Sequence, residues 1–279
     1  LRFKPTAQKP VQYKYGPRSV ATGDFDNDTC LDMVIAHHAV EKIAVYLGHG
    51  NGSFEDPILY STNSYSSPCM VIVGDFNNDY HLDVAVANFG TNNVGIFHGF
   101  GNGSFANQIE LSTGSSRPIA IVGAYFNNDT LLDIAIANYG THSISVLYQH
   151  GNGRFSSPTT YPTGYDSFPS ALVAGDFNND NYSDLAVANY GTNNVGILFG
   201  NSSSSFANQI TISTGMGSQP HSIIASHFNA DNFLDIAIAN SGTNQIGVLI
   251  NNGNETFADQ AIYSGSVSPI TILTYDFNH

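Results

Sequence analysis

Carboxylates recur along this chain at a spacing that suits a hard cation. The segment Asp75-Phe76-Asn77-Asn78-Asp79-Tyr80-His81-Leu82-Asp83 sets oxygen-bearing side chains at positions 1, 3, 5 and 9 of a nine-residue loop. Calcium takes about six to eight hard oxygens, drawn from carboxylates, amide and backbone carbonyls, and water. In a tight loop, alternate positions 1, 3 and 5 turn inward, a backbone carbonyl serves at 7, and 9 closes the cage. Three copies supply the whole set. The first offers Asp24, Asp26, Asp28 and Asp32 with the Cys30 carbonyl. The second offers Asp75, Asn77, Asp79 and Asp83 with the His81 carbonyl, and the fourth offers Asp176, Asn178, Asp180 and Asp184 with the Tyr182 carbonyl. Two copies are weaker. Tyr125 at the first position leaves Asn127, Asp129 and Asp133, and His227 leaves Asn229, Asp231 and Asp235, so each keeps two carboxylates. The expected cofactor is structural Ca2+, at about three strong sites.

Other readings of the loop are narrower. An EF-hand would need a glycine at position 6, a glutamate at position 12 and flanking helices, and Asp75–Asp83 offers none of these. Zinc at His227 would lack nitrogen- or sulfur-bearing partners nearby. An acidic turn holding no metal is the plainer alternative. Crowded carboxylates repel one another until a cation neutralises them, so an ion here is expected to staple the chain rather than perform a reaction. Phenylalanine at position 2 of each copy (Phe25, Phe76, Phe126, Phe177, Phe228 and Phe277) reads as a packing plug.

Such loops need strands on both sides to hold them. Met70–Gly74 precedes the second copy and reads as a strand; Leu82–Asn88 follows it, with Val84 and Val86 alternating with Ala85 and Ala87. That strand is apolar on both faces and small on one, which suits the crowded middle of stacked sheets. The turn Gly90-Thr91-Asn92-Asn93, the strand Val94–His98, the tight turn Phe100-Gly101-Asn102-Gly103 and the strand Phe105–Leu111 complete a unit. The loop starts at 24, 75, 125, 176, 227 and 276 recur every 49 to 51 residues. A proline stands seven residues before each, and a phenylalanine stands thirty residues after each of the first five. All length variation falls between that phenylalanine and the next proline. Four short antiparallel strands in a repeat of this size are the unit of a β-propeller blade, whereas a parallel β-helix would use shorter coils. The fold class is therefore all-β: a propeller of four-stranded blades of about 50 residues, five complete repeats and partial end strands. Residues 1–10 read as an N-terminal arm or linker and residues 11–279 as the propeller, either a five-bladed ring with spare ends or a piece of a larger one. Residues 11–15 read as an outermost strand and Ile270–Tyr275 as an innermost one.

Composition narrows the classes. The formal net charge is −14, and fifteen of the 22 acidic residues lie in the six loop copies, while no basic patch offers a nucleic-acid surface. Five of the eight basic residues fall within the first 18 positions. No 18-residue apolar run is present, so this segment is expected not to insert in a membrane. Two cysteines, Cys30 and Cys69, make no disulfide framework. Sequons at Asn27, Asn51, Asn102, Asn128, Asn181, Asn201 and Asn254 give weak support to a secreted glycoprotein, and Asn27, Asn128 and Asn181 lie where a glycan would obstruct an ion.

The Asp-Phe-Asn-Asn-Asp-x-x-x-Asp loop, the Leu-Asp-x-Ala-x-Ala-Asn strand and the Gly-Asn-Gly-x-Phe turn resemble FG-GAP/VCBS repeats, across essentially residues 11–279. These repeats build the integrin α-subunit propeller and many secreted or surface propellers. The resemblance implies calcium in the nine-residue loop between the two innermost strands of a blade, and partner binding on the opposite face.

Strand parity sorts the loops. The acidic loops share one rim with the Gly-Asn-Gly turns. The Gly-Thr-Asn turns share the other with the variable segments Ser61–Ser67, Ser112–Arg117, Pro162–Phe168, Ser213–Gln219 and Ser264–Ser268. Variable loops on a rigid scaffold are where specificity usually resides. Parity also puts Cys30 and Cys69 on opposite rims, against a disulfide. On the variable rim His37, His38, Glu41, His142, Tyr165, Asp166 and His221 are scattered and form no nucleophile–base–acid set, so no catalytic residue is named. His37 stands where other units carry Asn88, Asn138, Asn189 and Asn240 and reads as a turn substitution. Tyr13, Tyr15, Tyr60, Tyr65, Tyr161 and Tyr165 could form an aromatic sugar-binding surface or be strand filling. The expectation is a calcium-stabilised extracellular or cell-surface adhesion module that binds a protein or carbohydrate ligand. A catalytic propeller acting on polysaccharide is the alternative.

Overall fold

Alternating small and branched residues decide how the sheets stack. The computed structural model describes residues 15–274. It contains five four-stranded antiparallel sheets, and in the fourth and fifth a short two-stranded hairpin (Gly200–Asn201 with Ser205–Phe206, Asn251–Gly253 with Thr256–Phe257) stands between the third strand and the last. The second sheet runs Pro68–Gly74, Asp83–Asn88, Asn93–Phe97 and Ile109–Ser112. Its Ala85 and Ala87 face the third sheet, where Ile134 and Ile136 fill the space they leave. Ala135 and Ala137 meet Leu185 and Val187 in the same way, and Ala186 and Ala188 meet Ile236 and Ile238. A small face therefore receives the branched face of the next sheet at these three junctions, while at the first Val34 and Ala36 meet Val84 and Val86. Each fully buried branched side chain is worth roughly 1.5–3 kcal/mol.

The first strands of the five sheets, Pro17–Gly23, Pro68–Gly74, Pro118–Ala124, Pro169–Gly175 and Pro220–Ser226, pack in succession around a channel of about 820 Å3. These are the blades of a propeller. Each first strand begins on its proline, and the register shifts immediately beside it. Proline has no N–H to give the ladder, so a bulge at the strand end accommodates it.

The packing plugs lie at the blade junctions as expected. Phe25, Phe76, Phe126 and Phe177 are buried. Phe25 meets the repeat phenylalanine Phe105 of the next blade edge-on at 5.3 Å, Phe126 meets Phe206 at 5.6 Å, and Phe177 meets Phe257 at 6.3 Å. The outermost strand is shorter than the expected Phe105–Leu111. Phe105 instead forms a single bridge to Gly99, which frees its ring to plug the junction.

The two ends of the array carry uncovered flanks. Phe54 of the first blade is 42% exposed and Phe228 of the fifth 40%, while Met33 and Ile35 are half-buried where Val84 and Val86 are fully buried. No blade covers these flanks among the described residues. Of the expected strand Ile270–Tyr275, residues 270–274 form no ladder, but they lie beside the fifth blade's first strand. There the Ile272 N–H donates to Ser222 Oγ at 3.3 Å. Tyr275, the sixth acidic loop, residues 1–10 and the strand positions 11–14 fall outside the described residues.

Cys30 and Cys69 are free thiols, one at each rim. Burial pushes the Cys69 thiol up to about 12, and its Sγ donates to the carbonyls of Ala87, Pro118 and Ile119. In the native protein a thiol reagent should therefore modify Cys30 and spare Cys69 until the chain is unfolded; two equally fast thiols would contradict this packing.

Candidate functional site

Each acidic loop is built around its ninth residue. Asp32, Asp83, Asp133, Asp184 and Asp235 are completely buried, and each begins a second strand. One oxygen accepts the N–H of the position-2 phenylalanine (Phe25, Phe76, Phe126, Phe177 or Phe228) at 2.7–3.0 Å. The other accepts a backbone N–H from the end of the third strand (Gly48, Gly99, Gln149, Gly200 or Asn251) at 2.7–2.8 Å. The ninth carboxylate thus ties the loop to the rest of its blade, and each oxygen keeps a lone pair for an ion except Asp83 Oδ2, which also meets His98. Burial pushes Asp133 up to about 6 and Asp184 up to about 7. In the second blade His98 Nδ1 lies 3.1 Å from Asp83, and that bond raises the imidazole above its usual range.

The first carboxylate organises the tip. Asp24 accepts the N–H of Asp28 at 3.1 Å and of Thr29 at 2.9 Å. Asp75 does the same for Asp79 and Tyr80, and Asp176 for Asp180 and Asn181. These bonds hold Thr29, Tyr80 and Asn181 at φ of 71°, 69° and 68°. Left-handed geometry is costly for a threonine or tyrosine, so the carboxylate offsets real strain. Oxygens of Asp24, Asp26 and Asp28 converge within 4.8 Å of one another. Burial, and then the charges of Asp28, Asp32 and Asp24, push the Asp26 carboxyl above its usual range. A hard divalent cation fits this donor set: three carboxylates, the buried Asp32 behind them and the Cys30 carbonyl. Asn77 and Asn178 take the Asp26 position in the other two complete loops, each donating to the next acidic residue, Asp79 or Asp180, at 2.9–3.0 Å.

Loops three and five are built differently. Tyr125 and His227 cannot accept the two N–H groups, and neither loop has a left-handed residue at position 6. Asn127 donates to Asp129 and Asn229 to Asp231, as in the other loops. Sixteen residues past the ninth carboxylate, where the complete loops carry Gly48, Gly99 and Gly200, these two carry Gln149 and Asn251. Gln149 Nε2 donates to the Leu132 carbonyl at 3.3 Å, and Asn251 Nδ2 donates to Leu234 at 3.1 Å and Phe177 at 2.7 Å. An amide side chain ties the loop wherever the first carboxylate is missing. The glycines of the complete loops exclude it, because a Cβ on Gly99 would sit 2.2 Å from the Leu82 carbonyl.

The opposite rim holds a feature that repeat counting missed. Inside four of the length-variable segments two buried hydroxyls clasp each other: Thr62 with Ser66, Thr113 with Ser116, Thr163 with Ser167, and Thr214 with Ser218, at 2.6–2.8 Å. The clasp serine's carbonyl then accepts the N–H of Gly90, Gly140, Gly191 or Gly242 in the Gly-Thr-Asn turn. Each segment is fixed at its base and displays a short tip. Three tips present large apolar side chains: Tyr65 at 81%, Tyr165 at 87% and Met216 at 98% exposure. A Thr-x-x-x-Ser spacing, shortened to Thr-x-x-Ser at Thr113 and Ser116, was the available signal.

The remaining rim candidates stay apart. His37 is the buried end of a second strand with Tyr15 against it at 5.3 Å, so it is a packed residue rather than a turn substitution. His38 starts a short 3-10 turn, and Glu41 accepts the Tyr65 N–H at 2.7 Å. His142 accepts the Phe168 N–H and lies near Tyr165, while His221 pairs with the Ile270 carbonyl. Asp166 is exposed beside Tyr165. Tyr60 and Tyr161 pack edge-on against Phe105 and Phe206 inside the blade junctions, which removes them from any sugar-binding surface. Tyr13 lies outside the described residues.

The chain is 17% identical to a lectin of Agrocybe aegerita described as recognising non-reducing terminal N-acetylglucosamine, with a TM-score of 0.62 over 87% of this chain. It spans 65% of that lectin's length. A Pseudomonas aeruginosa periplasmic gluconolactonase matches 91% of the chain and 72% of its own at 16% identity and a TM-score of 0.69. A Staphylococcus aureus virginiamycin B lyase matches 93% and 73% at 15% identity and a TM-score of 0.65. These likenesses carry the fold alone. No curated protein sequence matches the chain. The FG-GAP-like repeat matches residues 24–86, 75–136 and 126–187, each running from one acidic loop into the strands after the next, and the chain belongs to that family.

Proposed function

We propose that this propeller is a calcium-stapled extracellular binding module whose ligand, a glycan or a glycan-bearing protein, is met on the rim opposite the acidic loops. The observation that carries the reading is the set of clasped tips bearing Tyr65, Tyr165 and Met216. Exposed aromatic side chains on rigid bases lose little entropy on binding, and such residues dominate binding energetics. The lectin among the similar structures supports a carbohydrate ligand. The calcium part of the reading is supported by the converging carboxylates of the first loop, Asp24, Asp26 and Asp28. Asp24, Asp26, Asp28, Asp32 and the Cys30 carbonyl would hold one ion, Asp75, Asn77, Asp79, Asp83 and the His81 carbonyl a second, and Asp176, Asn178, Asp180, Asp184 and the Tyr182 carbonyl a third. The ion supplies positive charge that lets the carboxylates stay close.

A catalytic propeller is the second reading, favoured by the central channel. Its nucleophile candidates are tied to backbone: Cys69 as described, and Ser170 Oγ donating to the Ala188 and Pro220 carbonyls. A glycan and protein array probed in calcium should give glycan or glycoprotein hits that the double variant Tyr65→Ala/Tyr165→Ala loses by tenfold or more. Hits unaffected by that variant, or turnover of an arrayed polysaccharide, would overturn the reading.

A further inference from the structure

One blade departs from the others at its outer rim, and the departure leaves a pocket. In blades two, four and five the third strand carries a glycine (Gly95, Gly196, Gly247), and a glutamine (Gln108, Gln209, Gln260) lies over it. The overlap is close: a Cβ on Gly95 would sit 2.2 Å from Gln108, and one on Gly196 2.3 Å from Gln209. The glutamine fills the space beside the last asparagine of the second strand, and Asn88 Nδ2 donates to Gln108 Oε1 at 3.1 Å. In blade three the same two positions are Ser145 and Pro158. Proline cannot reach across the strand. A pocket of about 300 Å3 remains, lined by Asn138, Ser143, Ser145 and Thr160 and closed by Thr113, Ser116 and Thr141. Blade one also lacks the glutamine, but it carries Ala44 and Leu59 in place of Ser145 and Thr160. Only blade three combines the missing plug with hydroxyls.

The lining has a definite chemistry. Asn138 Nδ2 donates to Ser145 Oγ at 2.8 Å and Ser143 Oγ at 3.3 Å; Ser145 pairs with Thr160 at 3.0 Å, and Thr141 with Ser143 at 3.0 Å. Asn138 is completely buried, and its Oδ1 has no partner. The same oxygen is unpartnered in Asn88, Asn189 and Asn240, so what sets blade three apart is the open space beside the asparagine, which a glutamine occupies in the other three. Each hydroxyl on the wall has one hydrogen to give and two lone pairs to offer. No ionisable side chain lines the pocket, which disfavours an anion, a cation or a zwitterion. Its volume lies at the small end for ligand sites.

We infer that this pocket is a subsite for one neutral, polyhydroxylated ring, a single sugar residue of a glycan, with the lining hydroxyls of Ser145 and Thr160 exchanging hydrogen bonds with sugar hydroxyls. The inference rests on the carbohydrate reading above and gives it an address on blade three. Tyr139 and His142 stand on either side of Thr141 in the chain, and both rings pack against Phe168.

The test uses the chain's own plug. Ser145→Gly with Pro158→Gln rebuilds in blade three the pair that blades two, four and five carry, so the variant should fold with an unchanged melting temperature. The methyl glycosides of N-acetylglucosamine, galactose, mannose and fucose are presented to the full chain in calcium, and saturation transfer from protein to sugar is recorded by NMR. At least one sugar should show transfer that the S145G/P158Q variant reduces tenfold or more. Equal transfer in both proteins would overturn the subsite while leaving rim carbohydrate binding in place, as would a crystal soak showing a water-filled pocket only. No transfer from any sugar, with no glycan hits on the array, would overturn the subsite and the carbohydrate reading together.

Discussion

Excess EDTA is expected to lower the melting temperature of this protein by roughly 15 °C or more relative to millimolar calcium. A cation that binds only the folded chain at about a hundred times its dissociation constant stabilises by about 2.7 kcal/mol per site. Three complete loops therefore contribute on the order of 8 kcal/mol, and each kcal/mol moves a domain of this size by about 2–4 °C. The difference should grow with pH. Burial raises the folded-state carboxyls of Asp133 and Asp184 from 3.8 to about 6 and about 7. A carboxyl raised on folding contributes stability that is fully present below its unfolded value and lost as pH rises through the folded value. The ion-free protein therefore loses that contribution between about pH 4 and 7. In the fourth loop calcium needs Asp184 deprotonated and gains affinity over that interval. Melting curves in EDTA and in calcium should converge near pH 4.5 and separate toward pH 7. Superimposable curves at pH 7 would remove the ions from this account.

How much of this was legible in the sequence depends on the distance over which each signal acts. The acidic loops and the proline starts are local patterns repeated five times and the Ala-x-Ala strands four times, and repetition lifts them above chance. Rim assignment followed from strand parity alone. The pairing of Phe25 with Phe105 was not legible, because the partners lie 80 residues apart and meet only once two blades stack. Tyr60 and Tyr161 were open for the same reason: a tyrosine at a strand end is exposed or buried according to the neighbouring blade. The hydroxyl clasps sit in the segments where length varies, so aligning the units by their rigid parts hid them. Gln149 and Asn251 stand where other units have glycine, and only the structure shows that their amides reach the loop carbonyls. That substitution sharpens the division between complete and incomplete loops, since the chain supplies a different tie where the first carboxylate is lost.

The two ties can be separated by mutation. Asp133→Ala in the third loop should destabilise the protein by about 2–5 kcal/mol, equally in calcium and in EDTA. The reason is that Asp133 accepts the N–H groups of Phe126 and Gln149 at 3.0 and 2.8 Å in a fully buried setting. Removing it strands both donors at about 1–3 kcal/mol each. Asp133→Asn keeps one acceptor oxygen and should recover roughly half of the loss. Asp176→Ala in the fourth loop predicts the opposite dependence. Asp176 is half-buried at the start of the loop, but the N–H groups of Asp180 and Asn181 that it accepts lie at the exposed tip, where water can replace it. Its loss in EDTA should be about 1 kcal/mol or less, whereas in calcium the variant should forfeit the whole contribution of one site. Denaturant titrations of the three variants, each with and without calcium, measure both effects. A calcium-dependent loss for Asp133→Ala would make the ninth carboxylate chiefly a ligand, and a calcium-independent loss for Asp176→Ala would make the first carboxylate chiefly a turn former. The two positions are held by different physics because one faces the blade and the other faces water.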